Sequence, residues 1–360
     1  MGHSPFGGSR AIQYLNCPGS VMNQMRMTQG GHLEESEYAA EGTKAHEIAD
    51  LIVRGWTPPD NADAEMVRHA RNYKAGLEAY RWRFPGVLNT EVKREAPSIS
   101  KELWGYLDAE IWSPRTNTLF VGDLKYGAGQ YVSPVDNPQL QVYSVCSIEK
   151  YVAHGKFTGR VVMAIFQPRG ESPGWREWSI NGEQLWEFKL RLVRAVGAVA
   201  SGSVDLRAGE WCRYCIAKVK CRAYRDKYIK PVMDTQGKLE GLTRAEISAI
   251  LDSEPKLIKW LKEAKNFAKA AAALSDEGTF EGWTISKKGG PTEFNDPTSI
   301  ELNYPQNRFP AMYNTKLKTP KQILDLYPEL KEDLQGEYTQ KEYVTLIKQN
   351  DYNFVSSEDE

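Results

Sequence analysis

Short segments with the composition and apolar spacing of strands follow one another closely in the middle of the chain. Three of them cover residues 87–95, 104–112 and 118–125, and the turn-rich stretch SPRTN joins the last two. Because turns this short connect antiparallel neighbours, these segments predict a three-stranded meander. Two further strands are predicted at residues 159–168 and 175–180.

Apolar residues at helical spacing flank this strand-rich region. Helices are predicted at residues 36–54, where only Gly42 interrupts a run of good helix formers, and at residues 63–82. A third begins near Pro138, between the third and fourth strands, and a fourth covers about residues 182–200. This order of elements predicts an α/β fold built on one mixed central sheet with helices around it.

The pattern changes after Gly202, where the chain becomes aromatic, basic and rich in cysteine. A chain of 360 residues allows about two domains. The polar segment MDTQGKLEG has the composition of a linker, so we predict one domain over residues 1–235 and an α-rich C-terminal extension over residues 236–360. Within the extension we expect helices at 242–253 and 255–274 and a hairpin at 279–288.

Charge gives a local rather than a global indication of a polyanionic partner. Lys and Arg number 46 against 47 Asp and Glu, for a formal net charge of −1. Between residues 207 and 230, however, eight basic residues face two acidic ones. This segment is either a solvated surface around a metal site or a contact to a DNA backbone. Its candidate DNA contacts are Arg213, Lys218, Lys220 and Arg222.

Apolar runs in the sequence are too short for a membrane span, which needs about 18 residues or more, and the N-terminal segment lacks the apolar core of a signal peptide. A soluble, cytoplasmic protein without a membrane partner is therefore expected.

The stretch VGDLKYG places Asp123 and Lys125 on one face of the third strand, since side chains alternate along a strand. Asp108, on the preceding strand, is expected to lie across from them. Two converging carboxylates suit a divalent cation such as Mg²⁺, and a nearby lysine can orient a water or stabilise charge on a phosphate. Taken alone, the same residues are also consistent with a simple salt bridge at the end of a strand.

Four motifs in order narrow this choice: EGTKAHE, GYLD, DLK and QLQVY. The set resembles the RecB-like branch of the PD-(D/E)XK nuclease superfamily. In that resemblance His46 matches the histidine on a helix, Asp108 the aspartate of G-x-x-D, and Asp123 with Lys125 the D-x-K. Gln139 and Tyr143 match the Q-x-x-x-Y helix.

The resemblance implies a restriction-endonuclease-like core that hydrolyses DNA phosphodiester bonds with Mg²⁺ or Mn²⁺. Its metal ligands would be His46, Asp108, Asp123 and the backbone carbonyl of Leu124. Lys125 would position or activate the attacking water, and Gln139 and Tyr143 would orient DNA or the active-site strand. Glu91 and Glu47 are possible accessory groups.

Cysteines form a second constellation. Cys212, Cys215 and Cys221 have the spacing C-x2-C-x5-C, and Cys17 lies far upstream. Four thiolates can hold a zinc ion or a [4Fe-4S] cluster, and spacing alone does not choose between them. One cysteine before the core and three after it resemble the iron-sulfur nucleases of the AddB type and the CRISPR-associated exonucleases. The resemblance implies a [4Fe-4S] cluster, with Zn²⁺ as the alternative, and Cys146 is expected to be a buried apolar residue.

The N-terminal residues and the block beginning LTRAEIS also resemble an uncharacterised phage-associated family. That likeness suggests an exonuclease that acts on linear DNA ends, duplex or single-stranded. Its expected partner is a phage single-strand annealing or binding protein. A homo-oligomer is also possible, because homo-oligomers occur in the superfamily. Two alternatives remain: a non-catalytic DNA-end-binding iron-sulfur protein, and a nuclease of CRISPR adaptation.

Overall fold

The computed structural model describes residues 4–28, 37–127, 131–152, 155–170, 172–234, 242–275, 279–312 and 318–348. The chain divides into two compact units, Met1–Glu240 and Gly241–Glu360. The linker predicted around the boundary between residues 235 and 236 falls mostly on 235–241, outside the described residues.

A five-stranded mixed sheet forms the centre of the first unit. Its strands follow in sequence order and are antiparallel except for the parallel pair β3–β4. The strands are β1 (Val87–Glu95), β2 (Trp104–Ser113), β3 (Thr118–Leu124), β4 (Arg160–Gln167) and β5 (Gly174–Asn181). All five were predicted to within two residues at either end.

Helices surround this sheet, and polar side chains begin several of them. Asp63 accepts a hydrogen bond from the Met66 N–H at the start of α4, and Asn137 precedes the proline that opens α5. The longer helices are α1 (Ala11–Asn16), α2 (Gly19–Thr28), α3 (Glu37–Val53), α4 (Ala64–Arg83), α5 (Pro138–Tyr151) and α6 (Gly182–Ala200). The short helices α7 (Arg222–Tyr224) and α8 (Lys230–Asp234) flank a π-helical turn, Arg225–Ile229.

Both faces of the sheet are covered, which explains the nearly continuous apolar sequence of β4. Val161, Met163 and Ile165 belong to a core shared with α5 and α6. Val162 and Phe166 belong to the opposite core, shared with α3 and α4. The predicted fold class, a mixed α/β core with a central sheet flanked by helices, is confirmed.

The second unit contains helices and a separate antiparallel sheet. Helix α9 (Arg244–Ala273) runs through Pro255, where the sequence predicted a break, and begins at a capping box between Thr243 and Glu246. The sheet has the order β6 (Thr279–Phe280), β7 (Trp283–Phe294) and β8 (Tyr338–Lys348). Helices α10 (Pro297–Asn303) and α11 (Pro320–Leu326) lie between β7 and β8 in the chain.

Strand β8 corrects the expectation of an α-rich tail after the hairpin. Its partner β7 ends more than 40 residues earlier, so local sequence carries little indication of the pairing. A small core of Ile300, Met312, Ile323 and Leu334 stabilises this unit. Among the described residues, no helix has the length and apolar character that crossing a bilayer requires.

Candidate active site

Two neighbouring strands separate at one end of the central sheet. Strand β2 stays paired with β1 as far as the Glu95–Trp104 pair but leaves β3 beyond Ala109 and Gly122. Strand β3 continues beside β4, and the Lys125 N–H extends that ladder to the Phe166 carbonyl at 2.9 Å. The divergence opens a fork between β2 and β3.

Asp108 and Asp123 lie on the two sides of this fork. The Leu124 N–H lies in the part of β3 that no longer pairs with β2, and it donates to Asp108 Oδ2 at 2.7 Å. The Asp108 carboxylate is thereby fixed against β3. Leu124, whose carbonyl was predicted as a metal ligand, is thus in direct contact with a second predicted ligand through its own N–H.

Three possible metal ligands meet beside the fork. His46 Nδ1 lies 3.5 Å from Asp108 Oδ2 and 3.8 Å from Glu91 Oε1. One ligand atom from each of the three residues falls within 4.8 Å of the others. The two carboxylates supply oxygen donors, which suit a hard divalent cation, and His46 adds a nitrogen donor at the same spacing. Glu91, predicted only as a possible accessory group, is therefore one of the three residues of this group, whereas Glu47 is exposed on α3.

The backbone of Glu91 is strained in a way that places its side chain in this group. Its φ angle is +46°, which costs a non-glycine residue about 1–3 kcal/mol, and it lies between the Thr90–Ala109 and Val92–Leu107 pairs of the β1–β2 ladder. The preceding residue is held by α3. Thr90 Oγ1 donates to Asp50 Oδ1 at 2.7 Å, and Arg54 donates to the Thr90 carbonyl at 3.3 Å.

The charges of the site hold His46 in its protonated form. The carboxylate of Asp108 raises the pKa of His46 to about 9, against the opposing effect of burial, and Glu91 acts in the same direction as Asp108. Burial raises the pKa of Asp108, and the neighbouring cations His46 and Lys125 oppose that rise. A cation that binds His46 must therefore displace a proton from the imidazole.

Asp123 forms an ion pair with Lys125 on the other side of the fork. Lys125 Nζ lies 2.7 Å from Asp123 Oδ2, and Gln139 Nε2 donates to Asp123 Oδ1 at 2.9 Å. Burial alone would lower the pKa of Lys125, but the charges of Asp123 and Asp108 outweigh burial and raise it. Without a bound cation Lys125 is consequently an ammonium group rather than a free base.

Helix α5 contributes Gln139 and Tyr143 as predicted from their spacing. Gln139 Nε2 lies 3.4 Å from Tyr143 Oη, and the tyrosine ring packs against Gly8 and Gly105. A Cβ atom at Gly105 would lie only 2.8 Å from Tyr143 Cε1. The glycine of GYLD thus allows the ring to lie against β2.

Arg169, which the sequence analysis missed, connects α3 to the strand end. It donates to both oxygens of Glu41, at 2.9 and 2.8 Å, and through Nε to the Tyr126 carbonyl at 2.8 Å. Glu41 opens the EGTKAHE motif and Tyr126 follows Lys125. Glu41 belongs to a motif that the sequence analysis singled out, so a partner for it could have been expected. That partner, Arg169, follows β4 and is distant in the sequence, so only the fold identifies it.

The four cysteines predicted to act together line one cavity. Cys17 ends α1, while the other three are spaced along successive 3-10 turns, Glu210–Tyr214 and Ile216–Lys220. The Arg207 N–H donates to Cys17 Sγ at 3.3 Å, and the Gly209 N–H donates to Cys212 Sγ at 3.4 Å. Among the described residues, which include all four, no three Sγ atoms lie within 4.8 Å of one another.

Burial affects the chemistry of these thiols. It raises the pKa of Cys215 to about 12 and also raises the pKa of Cys17 and of Cys212. Cys17, Cys212 and Cys215 are therefore held as protonated thiols, and a metal that bound them would have to displace their protons. Cys146 lies apart from them, on the buried side of α5, as expected for a buried apolar residue.

The basic segment is only partly available at the surface. Arg213, Lys220 and Arg222 are exposed, but Lys218 is buried and its Nζ donates to the Arg213 carbonyl at 2.8 Å. This placement corrects the prediction of Lys218 as a DNA contact, because a side chain 2% exposed cannot reach a phosphate. A count of charges along the sequence does not distinguish an exposed basic side chain from a buried one.

Comparison with known proteins defines the family. The model of the family described as "Protein of unknown function (DUF2800)" matches residues 3–351, so the chain belongs to that family. The crystal structure of SSO0001 is similar at 18% identity over 59% of this chain and 85% of that chain, with a TM-score of 0.30. LHK-Exo in complex with dAMP is similar at 14% identity over 55% of this chain and 92% of that chain, with a TM-score of 0.25. Both structural similarities are weak, and the family to which the chain belongs is described only as one of unknown function.

Proposed function

We propose that this protein is a Mg²⁺- or Mn²⁺-dependent deoxyribonuclease that acts as an exonuclease on linear DNA. The observation that carries the proposal is the convergence of His46, Glu91 and Asp108 beside the fork that holds the Asp123–Lys125 pair. An ordinary ion pair at a strand end would not require a third carboxylate held at a left-handed φ angle. The nuclease core is assigned to residues 1–235, with residues 236–360 as its extension.

The residues present fit the proposed cation. The carboxylates of Glu91 and Asp108, with Asp123 nearby, supply the oxygen donors that Mg²⁺ and Mn²⁺ prefer, and the Leu124 carbonyl is proposed as a further ligand. The imidazole of His46 adds one nitrogen donor to this set. A bound cation would supply Lewis-acid stabilisation of the phosphate and a water of lowered pKa.

Lys125 and Asp123 have separate tasks in this proposal. The ammonium of Lys125 would bind a phosphate oxygen and orient the attacking water, since Asp123 and Asp108 keep it charged. Gln139 would hold Asp123 in place through the hydrogen bond to Oδ1. Tyr143, packed on Gly105, would fix the position of α5 relative to β2.

We further propose that the four cysteines hold a [4Fe-4S] cluster. All four cysteines line one cavity, and one cysteine before the core with three after it is the arrangement in which the sequence resembles the iron-sulfur nucleases. That resemblance is the reason for proposing the cluster, with Zn²⁺ as the alternative. Because Cys17 and Cys212 belong to distant parts of the chain, the cluster would close a loop around the whole core and stabilise it.

The biological setting follows from the same proposal. A cytoplasmic exonuclease encoded by a phage or prophage would expose single strands for an annealing or single-strand-binding protein. The exposed residues Arg213, Lys220 and Arg222 are proposed to contact the DNA backbone.

Digestion of end-labelled linear DNA and closed circular DNA, with Mg²⁺ or Mn²⁺, tests the function. We expect linear DNA to be degraded from an end while circles persist, and Asp123→Ala and Lys125→Ala to abolish degradation. Lys150→Ala, on the exposed part of α5, is the matched control and should retain activity. If cluster-loaded protein binds linear DNA but leaves it intact, a non-catalytic end-binding role replaces this proposal. Cleavage of circles would make the protein an endonuclease.

A further inference from the structure

Tyr73, on α4, has a hydroxyl that is buried in the interior of the first unit. The residue is 2% exposed, and its ring stacks on Trp175 at 5.3 Å and packs against Phe166 at 5.7 Å. In the part of the chain that the structure describes, the hydroxyl has no hydrogen-bond partner. A buried polar group without a partner costs about 1–3 kcal/mol, so its position calls for an explanation.

The surroundings of Tyr73 indicate what the hydroxyl faces. Tyr73 lines a small cavity whose other walls include His46, Glu91, Asp108 and Leu124. These are the residues of the candidate cation site, reached here from the α4 side. Burial, and after it the charges of Asp108 and Asp123, raise the pKa of Tyr73, so its hydroxyl remains protonated and neutral.

Neighbouring contacts hold Tyr73 in this place. The adjacent Lys74 donates through Nζ to the Ile52 carbonyl at 3.1 Å, which ties α4 to the helix that carries His46. The aromatic contacts on the ring prevent it from turning away from the cavity. A rotation that satisfied the hydroxyl elsewhere would break the stack on Trp175.

We propose that Tyr73 is a positioning residue whose hydroxyl oxygen accepts a hydrogen bond from a water carried by the cation in this cavity. The inference rests on the proposed function. Mg²⁺ and Mn²⁺ keep several of their waters when they bind proteins, and such waters are strong donors. A neutral phenol oxygen supplies an acceptor without adding another negative charge to a cavity wall that already contains Asp50, Glu91 and Asp108. Tyr73 would thereby orient one water without being a ligand.

The test compares Tyr73→Phe with Tyr80→Phe in the full chain, using Mn²⁺ as the probe. Tyr80 lies two turns further along α4 and packs in the same aromatic cluster, but its ring stacks on Phe120 and its hydroxyl faces Glu177. Both variants lose only a hydroxyl. Stability is measured by denaturant unfolding in chelator and across a Mn²⁺ titration, since a ligand of the folded state stabilises it according to its Kd.

In chelator, Tyr73→Phe should be at least as stable as the parent chain, because it removes an unpartnered polar group. Its Kd for Mn²⁺ should rise about fivefold, the effect of one ordinary hydrogen bond, while Tyr80→Phe leaves the Kd unchanged. Asp108→Asn removes a proposed ligand of the cation. The part of the Mn²⁺-dependent gain in stability that this variant loses is therefore the part that comes from this site.

Three outcomes overturn the proposal. An unchanged or lower Kd in Tyr73→Phe refutes the role of the hydroxyl while the cation site stands. An equal rise in Tyr80→Phe attributes the effect to the aromatic cluster. The third outcome is that Mn²⁺ does not stabilise the parent chain, or stabilises it no more than it stabilises Asp108→Asn. The proposal of a cation site is then wrong, and the proposed function is wrong with it.

Discussion

Replacement of Lys125 by methionine is expected to destabilise the cation-free protein as well as to stop catalysis. The ammonium lies 2.7 Å from Asp123 Oδ2, and the Asp123 side chain is only 3% exposed. Methionine preserves most of the side-chain volume but removes the charge. The Asp123 carboxylate then remains buried with Gln139 as its donor and with Asp108 as a like-charged neighbour.

The magnitude follows from the burial of the pair. Removing one partner of a fully buried ion pair costs about 3–5 kcal/mol, and exposed pairs contribute up to about 1 kcal/mol. Since the Lys125 side chain is 30% exposed, we expect a loss of about 2–3 kcal/mol in the free energy of unfolding. For a unit of this size the corresponding fall in Tm is about 4–12 °C.

A double-mutant cycle with Asp123→Asn isolates the pair. Denaturant unfolding in chelator should show the double variant to be more stable than Lys125→Met alone, because the second change removes the uncompensated carboxylate. Lys150→Met is the matched control, and saturating Mn²⁺ should reduce the loss by supplying another positive charge. A loss below about 0.5 kcal/mol, or strictly additive effects, would refute this account of the pair.

Three further results are expected. Cys17→Ser should lose iron after anaerobic purification, while Cys146→Ser, which changes a core cysteine, should keep it; a colourless parent protein with one zinc would contradict the cluster. Glu91→Gly should leave the free energy of unfolding in chelator unchanged or raise it by up to about 1 kcal/mol, because glycine tolerates φ +46°. The same variant should bind Mn²⁺ more weakly, and unchanged Mn²⁺ binding would exclude Glu91 as a ligand. In chelator, stability should fall by about 2 kcal/mol as pH rises from about 6.5 through about 9, because the pKa of His46 is raised in the folded state, and His46→Asn should abolish that fall.

Much of the candidate site was visible in the sequence because local periodicity determines which side chains share a face. The two-residue period of a strand places Asp123 beside Lys125, and the helical period places Gln139 beside Tyr143. The cysteine spacing likewise predicted a common centre, and the four residues do line one cavity. The placement of these groups follows from the local pattern.

Other features depended on contacts between distant segments, which no local pattern contains. Glu91 and Glu47 are both acidic residues near a motif, yet the backbone of β1 turns the first into the site while the second faces solvent on α3. Lys218 is one of several cations in the sequence, but the turns around the cysteines bury it.

The sequence by itself therefore determined the strands of the core, the order of its elements and most of the chemical groups near the fork. The tertiary structure decided which of them meet. The divergence of β2 from β3, the strained Glu91, the Arg169–Glu41 contact and the unpartnered hydroxyl of Tyr73 all arise from packing between separate elements. Local propensity acts over a few residues, whereas the geometry of a site is set by the long-range contacts that bring those residues together.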